Sequence, residues 1–234
     1  MSRGNFLTLV AAFLSYAAVA SLPGNVSVDL EGAYVPIGFD DNDRSQVVVK
    51  GTFSNACYKI AEPQVRVDSQ SRSIYIDQRA YIYDFICLQI IMPFTQVVDL
   101  GILPVGNFTL KDKSSGKTLG TLPVLRAKGA EPDDYLYAPI ADASIKTEGA
   151  NATLTLEGDF TDRCMKLKEV LVHYYRDVIV VQPVAEMLGT PSGCGHELVK
   201  FQWEGPLEPG LHGTQLLHVR TMNGQAINRI VGFP

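Results

Sequence analysis

The stretch GTFSNACYKI at residues 51–60 returns as GDFTDRCMKL at residues 158–167. Gly51, Phe53, Cys57 and Lys59 meet Gly158, Phe160, Cys164 and Lys166 at one offset, 107. The same offset carries Glu62 to Glu169, Val65 to Val172, Cys87 to Cys194 and Phe94 to Phe201. Further on, GILPVG at 101–106 answers GPLEPG at 205–210, and upstream YVPI at 34–37 answers YAPI at 137–140. The offset drifts there to 104 and 103. Surface loops absorb small insertions at little cost, which explains the drift. Matches in one order across both halves indicate an internal duplication. The first unit is expected over 32–126 and the second over 134–234. They are joined by AKGAEPD at 127–133, a short polar linker with Gly and Pro. Few contacts are expected across it, because interfaces between domains of one chain are usually modest and polar.

Each unit reads as β. Val47-Val48-Val49 leads into Gly51-Thr52-Phe53, and Val65, Val67, Ile74, Ile76, Tyr81 and Tyr83 recur with period two. SQSR at 69–72 is a polar turn, and KSSGK at 113–117 is a hairpin loop between 107–110 and 118–124. Residues 86–93 and 95–100 are further strand candidates. The second unit offers strands near 152–156, 167–175, 178–184, 198–203, 214–220 and 226–231. No stretch has the caps and apolar stripe of an amphipathic helix. About seven short strands in a unit of this length predict an antiparallel β-sandwich. The fold class is therefore all-β, two tandem Ig-like sandwiches. The Cys-Trp-Cys spacing of true immunoglobulin domains is absent, so "Ig-like" describes architecture only.

The arrangement G-x-F-x-x-x-C, a hairpin, a second Cys and then PFTQVVDLGILPVGNFTL at 93–110 resembles Ig-like sandwich repeats of uncharacterised bacterial secreted proteins. The resemblance is greatest over 51–110. The second unit departs from it where FQWEG at 201–205 replaces the PFTQVVDLG run. The resemblance implies a fold and an extracytoplasmic address, and no activity.

An even cysteine count in an exported chain suggests disulfides. Four cysteines allow three pairings. The repeated 30-residue spacing selects Cys57–Cys87 and Cys164–Cys194, because each unit then closes its own bond. A reactive thiol at Cys194 beside His196 is the functional alternative. Cys87, its counterpart, has no such histidine. The cysteines form no C-x-x-C pairs for zinc.

Arg3, an apolar run over 6–20 and the small-x-small triplet Ala18-Val19-Ala20 read as a signal peptide over 1–20, with Ser21 as the mature start. The run is short for a membrane span. No later segment is long and apolar enough to cross a bilayer, so the chain is expected to be secreted or periplasmic. The 20 basic and 25 acidic residues give a net charge of -5. That argues against nucleic acid as a partner. No nucleophile elbow, phosphate loop, zinc-helix motif or dinucleotide fingerprint occurs, so an enzyme is not expected and no cofactor is implied.

Three weaker candidates complete the reading. The acidic run Asp40, Asp41, Asp43 offers oxygen ligands to calcium, or else is a solvated turn. Tyr75, Tyr81, Tyr83 and Phe85 are a possible contact surface, or a cross-strand aromatic ladder within their own sheet. Asn25, Asn107 and Asn151 head Asn-x-Ser/Thr triplets, which matter only in a glycosylating host. The expected function is a non-enzymatic exported module that binds another protein or an envelope component, or supports an assembly. An inhibitor or binder of a secreted hydrolase, acting through the loop at 185–197, is the alternative. A hydrolase with its site at the domain junction is the third.

Overall fold

The computed structural model describes residues 23–130, 133–189, 194–195 and 197–234. The expected signal peptide, residues 131–132 of the linker and His196 lie outside them. The chain is a succession of strands. The first half holds β1 (Gly24–Ser27), β2 (Gly32–Tyr34), β3 (Phe39–Asp40), β4 (Arg44–Phe53), β5 (Tyr58–Asp68), β6 (Ser73–Ile82), β7 (Met92–Ile102), β8 (Gly106–Asp112) and β9 (Thr118–Leu125). The second half holds β10 (Ile140–Glu148), β11 (Asn151–Phe160), β12 (Met165–Tyr175), β13 (Val178–Met187), β14 (Val199–Pro206), β15 (Gly213–Thr221) and β16 (Gln225–Phe233).

Two sheets form in each half, with one strand order. In the first, β2-β4-β7 faces β5-β6-β8-β9; in the second, β10-β11-β14 faces β12-β13-β15-β16. Each larger sheet contains a parallel pair at the same place, β6 with β8 and β13 with β15. The register slips within β5 between Ala61 and Gln64, and within its counterpart β12 between Leu167 and Glu169. β1 and β3 are additions to the first half. β1 lies upstream of the expected boundary at Gly32 and pairs with β6, while β3 runs parallel to β9.

Period-two alternation explains each core. Val47, Val49, Val98 and Leu100 point from the smaller sheet of the first half onto Ile74, Ile76, Phe108, Leu110 and Leu122 of the larger. In the second half Leu154 and Leu156 meet Ile179, Val181, Leu217 and Val219. The duplicated glycine and phenylalanines are one device. Gly51 lies opposite Phe94 and Gly158 opposite Phe201 across the ladder. The Phe94 ring stacks on Phe53 at 4.5 Å and the Phe201 ring on Phe160 at 4.2 Å. The missing side chain leaves room for a ring to lie over the neighbouring strand.

Two expectations are corrected. Residues 86–91 are not a strand; β6 ends at Ile82 and the chain runs as an irregular arm until β7 begins at Met92. The junction between the halves is not a sparse polar contact either. Val48 of β4 and Tyr34 of β2 pack on Val178 and Val180 of β13 and Leu216 of β15 in a buried apolar cluster. The valine runs 47–49 and 178–181 are thus buried on both faces, alternately in their own core and at the junction. The four sheets stack face to face.

Arg220 on β15 locks this junction. It is buried, 3.4 Å from Asp43, and it donates to the carbonyls of Ile37 and Gly38 and to the Tyr137 hydroxyl. Its guanidinium lies 4.7 Å from the centre of the Phe39 ring. Asn228 donates to Gln46 across the same seam at 2.9 Å.

Candidate interaction surface

The surface begins at the turn that carries the first cysteine. Asn55 Oδ1 accepts the backbone N–H of Cys57 at 2.9 Å, an Asx turn just ahead of β5. Asp162 does the same for Cys164 at 2.8 Å and also takes the Met165 N–H. Cys57 is bonded to Cys87 with Cα atoms 5.4 Å apart, and Cys164 to Cys194 with 5.7 Å. The two bonds are those selected by the repeated spacing. The reactive-thiol alternative at Cys194 is thereby overturned, since its sulfur is spent in the bond. Asp162, Cys164 and Cys194 are also the single metal-like grouping among the described residues, and the bonded sulfurs offer no thiolate.

The Cys57–Cys87 bond ties down the arm between β6 and β7. Two backbone bonds add to it: Tyr83 N–H to Cys57 O at 3.1 Å and Ala56 N–H to Leu88 O at 3.0 Å. Beyond these ties the side chains stand in solvent. Ile86 is 101 % exposed, Leu88 70 %, Ile91 73 % and Phe85 62 %, with Ile90 and Met92 also exposed. No charged residue occurs from Phe85 to Val98. So many large apolar side chains exposed within one short segment are unusual on a protein surface. The second half shows a related feature. Leu188, tied by its N–H to Cys164 O at 2.8 Å, is exposed, and so are Met187, Leu198 and Val199. An Arg163–Glu197 ion pair crosses the base of that loop.

The four aromatic candidates divide. Tyr75 and Tyr81 lie on the outer face of β6. Tyr75 is flanked by Arg66 and Lys111, 4.6 and 5.6 Å from its ring centre. Tyr81 stands opposite Lys59 and Asn25. Tyr83 and Phe85 lie at the base of the arm, with ring centres 5.7 Å apart. They form neither one patch nor one ladder. The sequence pattern found the two aromatics and missed the aliphatic residues beyond them, because 86–93 reads as an ordinary buried strand.

The acidic run is not a solvated turn. Asp40 and Asp43 are buried. Asp43 accepts from Arg220 and from the N–H groups of Asp40 and Asp133, while Asp41 accepts the Ala127 N–H at 2.7 Å. The three carboxylates do not converge on a point among the described residues. Burial, with Asp43 beside it, pushes the Asp40 carboxyl up, and burial does the same to Asp133. A cleft of about 750 Å³ opens at the rim of this junction, lined among others by Asp43, Asp133, Asp134, Tyr135 and Tyr137. Its carboxylates have structural partners: Asp134 holds Lys128 at 2.7 Å and Asp133 accepts the Gly224 N–H.

The three described histidines have partners within the fold as well. His173 meets Gln182 at 3.1 Å and His212 the Gly210 carbonyl at 3.1 Å. His218 is wholly buried, with Nδ1 2.8 Å from Asn228 Oδ1. Burial pushes its pKa down to about 4, and the nearby Arg220 adds to this. Asn25, Asn107 and Asn151 are all exposed. No helix of the described residues is long and apolar enough to cross a membrane.

Residues 47–114 match the family model of the ORF11 beta-sandwich domain. The matched span runs from β4 through β8 and contains the first disulfide and the arm. No curated protein and no solved structure matches the chain.

Proposed function

We propose that this chain is an exported, non-enzymatic protein of two disulfide-stabilised β-sandwich repeats that binds a partner in the cell envelope or extracellular space. The observation that carries the reading is the arm: aliphatic side chains held in water by a disulfide and two backbone bonds. Exposing such residues forgoes about 1.5–3 kcal/mol each relative to burial. A rigid apolar projection therefore suits a surface that becomes covered. Both cysteine pairs are bonded, which fits an oxidising compartment.

The test is a pull-down from the organism's own envelope extract with the chain from Ser21 onward. The control replaces Ile86, Leu88 and Ile91 together by serine. The reading expects a component captured by the parent chain and lost with the control. Equal capture by both chains would remove the arm from the account. The inhibitor reading is favoured by the exposed Leu188 and Leu198 beside the second bonded loop. Substituting those two residues, with the arm intact, tests it in the same extract.

A further inference from the structure

The stack of four sheets ends in two free faces of opposite charge. One is the outer face of the larger sheet of the first half. A row on it runs Arg66, Tyr75, Lys111 across β5, β6 and β8. Arg72 stands just ahead of β6, and Lys59 lies further along β5. Among the described residues none of these four cations has an ion pair. Two carboxylates in the same rows are engaged: Asp77 is buried against Lys113 at 2.9 Å, and Asp68 accepts the N–H groups of Gln70 and Ser71. The other free face is that of the smaller sheet of the second half. There Glu157 on β11 and Glu204 on β14 are exposed and have no ion pair among the described residues. Lys146 is held by Glu148 at 2.7 Å, Arg229 holds Asp142, and Lys200 stands opposite Asp159.

The seam inside the chain joins faces of these same two kinds, a smaller sheet on a larger one. Across it Lys50 of β4 reaches Asp177 at 3.9 Å. Both positions recur at the free ends. Glu157 stands where Lys50 does, at the offset of 107, and the register agrees: Lys50 lies opposite Thr95 and Glu157 opposite Gln202. Arg72 stands where Asp177 does. Asp177 immediately precedes β13 and its carbonyl accepts the Leu216 N–H at 2.8 Å; Arg72 immediately precedes β6 and its carbonyl accepts the Thr109 N–H at 2.9 Å. The charge pair of the seam is thus kept at the free ends with its signs exchanged. We infer that copies of this chain associate head to tail, the acidic end of one on the basic end of the next, with Glu157 of one copy on Arg72 of its neighbour. The joint has the arrangement of the seam without its apolar seal, so it is held by charge, weak and sensitive to salt. Each copy carries one end of each kind, so association runs past the dimer. The arm takes no part in it.

The experiment is sedimentation velocity of the chain from Ser21 onward, as a concentration series at low and at high salt. At low salt the sedimentation coefficient should rise with concentration beyond that of a dimer; at high salt it should stay that of the monomer. Arg72→Glu and Glu157→Lys, each alone, should weaken the association about five-fold or more, because an attraction is replaced by a repulsion. An equal mixture of the two variants should recover the parent's association, since every joint can then pair opposite charges. Both side chains are exposed, so thermal transitions should match the parent's. Glu157→Lys alone reads the joint if Arg72→Glu unsettles its turn. A monomer at every concentration in low salt would overturn the inference. So would association indifferent to salt or to both variants, or a mixture no better than its parts. Association abolished by replacing Ile86, Leu88 and Ile91 with serine would move the contact to the arm and overturn it equally.

Discussion

At the scale of the residue, the duplicated glycines are the informative positions. A Cβ on Gly51 would lie 2.6 Å from a ring carbon of Phe94, while on Gly158 it would lie 2.0 Å from the Pro139 carbonyl oxygen. A ring edge can shift; the Pro139 carbonyl, just ahead of β10, cannot follow without moving the backbone that leads into that strand. Gly158→Ala is therefore expected to destabilise more than Gly51→Ala, by about 2 kcal/mol or more against about 1 kcal/mol. Trimming Phe94 to Leu should recover part of the Gly51→Ala loss, whereas Phe201→Leu should not rescue Gly158→Ala. Urea denaturation of the four chains decides it. The sequence showed that Gly51, Phe53 and Phe94 recur together, because identity at a fixed offset is visible. It did not show why, because the cross-strand pairing is a property of register. Arg220 was invisible for a stronger reason: its partner Asp43 is 177 positions away.

At the scale of the element, alternation located nearly every long strand. It failed at the arm, where 86–93 has strand composition without strand pairing. The local pattern contains nothing that distinguishes an apolar segment with a partner strand from one without. The valine runs had the opposite fate. Four consecutive apolar residues at 178–181 mark a strand covered on both faces, a signal of the packed junction that an expectation of two separate units left unused. The disulfides were legible from spacing alone. For a closed loop of 30 residues the chain-entropy model gives about 3.6 kcal/mol per bond. Replacing Cys57 and Cys87 together by serine should cost up to this amount. Hydrogen exchange should rise at Tyr83 and Ala56, the two donors beside the lost bond, and stay unchanged around Cys164. Protection at Ala56 equal to that of the parent chain would show that the backbone bonds alone hold the arm.

At the scale of the whole molecule, the seam between the halves has its own titration. His218 sits neutral in the seam, beside Phe39 and Arg220, with a pKa near 4 against an unperturbed 6.5. As pH falls below 6.5 the unfolded chain takes up this proton and the folded chain does not. Stability should therefore be complete above pH 6.5, fall by about 3 kcal/mol between pH 6.5 and 4, and owe nothing further to this group below pH 4. Asp40 and Asp133, with raised carboxyl pKa values, favour folding as they protonate and oppose the trend at its acid end. His218→Gln should flatten the curve between pH 6.5 and 5 while leaving the carboxylate region intact. An unchanged slope in that variant would assign the acid sensitivity elsewhere. Removing Arg220 should cost about 3–5 kcal/mol, because Asp43 would remain buried without its counter-charge. Separate fragments 21–126 and 134–234 keep their own cores and disulfides. Each would bare half of the seam, so their mixture should recombine.

The seam joins two different surfaces. The small sheet of the first half meets the large sheet of the second. A contact between unlike faces is heterologous; repeated, it closes into a ring or grows into a fibre. The outermost large sheet, in the first half, is the counterpart of the one that is covered in the second. Where Val178 opposes Leu216 and Val180 opposes His218, that outer sheet carries Ser73 opposite Thr109 and Tyr75 opposite Lys111. At the other end of the stack, Thr155 stands at the position of Val48. The two ends are thus polar counterparts of the joint. Among the described residues, neither terminal face carries the apolar residues that seal the seam, so neither offers a further copy the same joint.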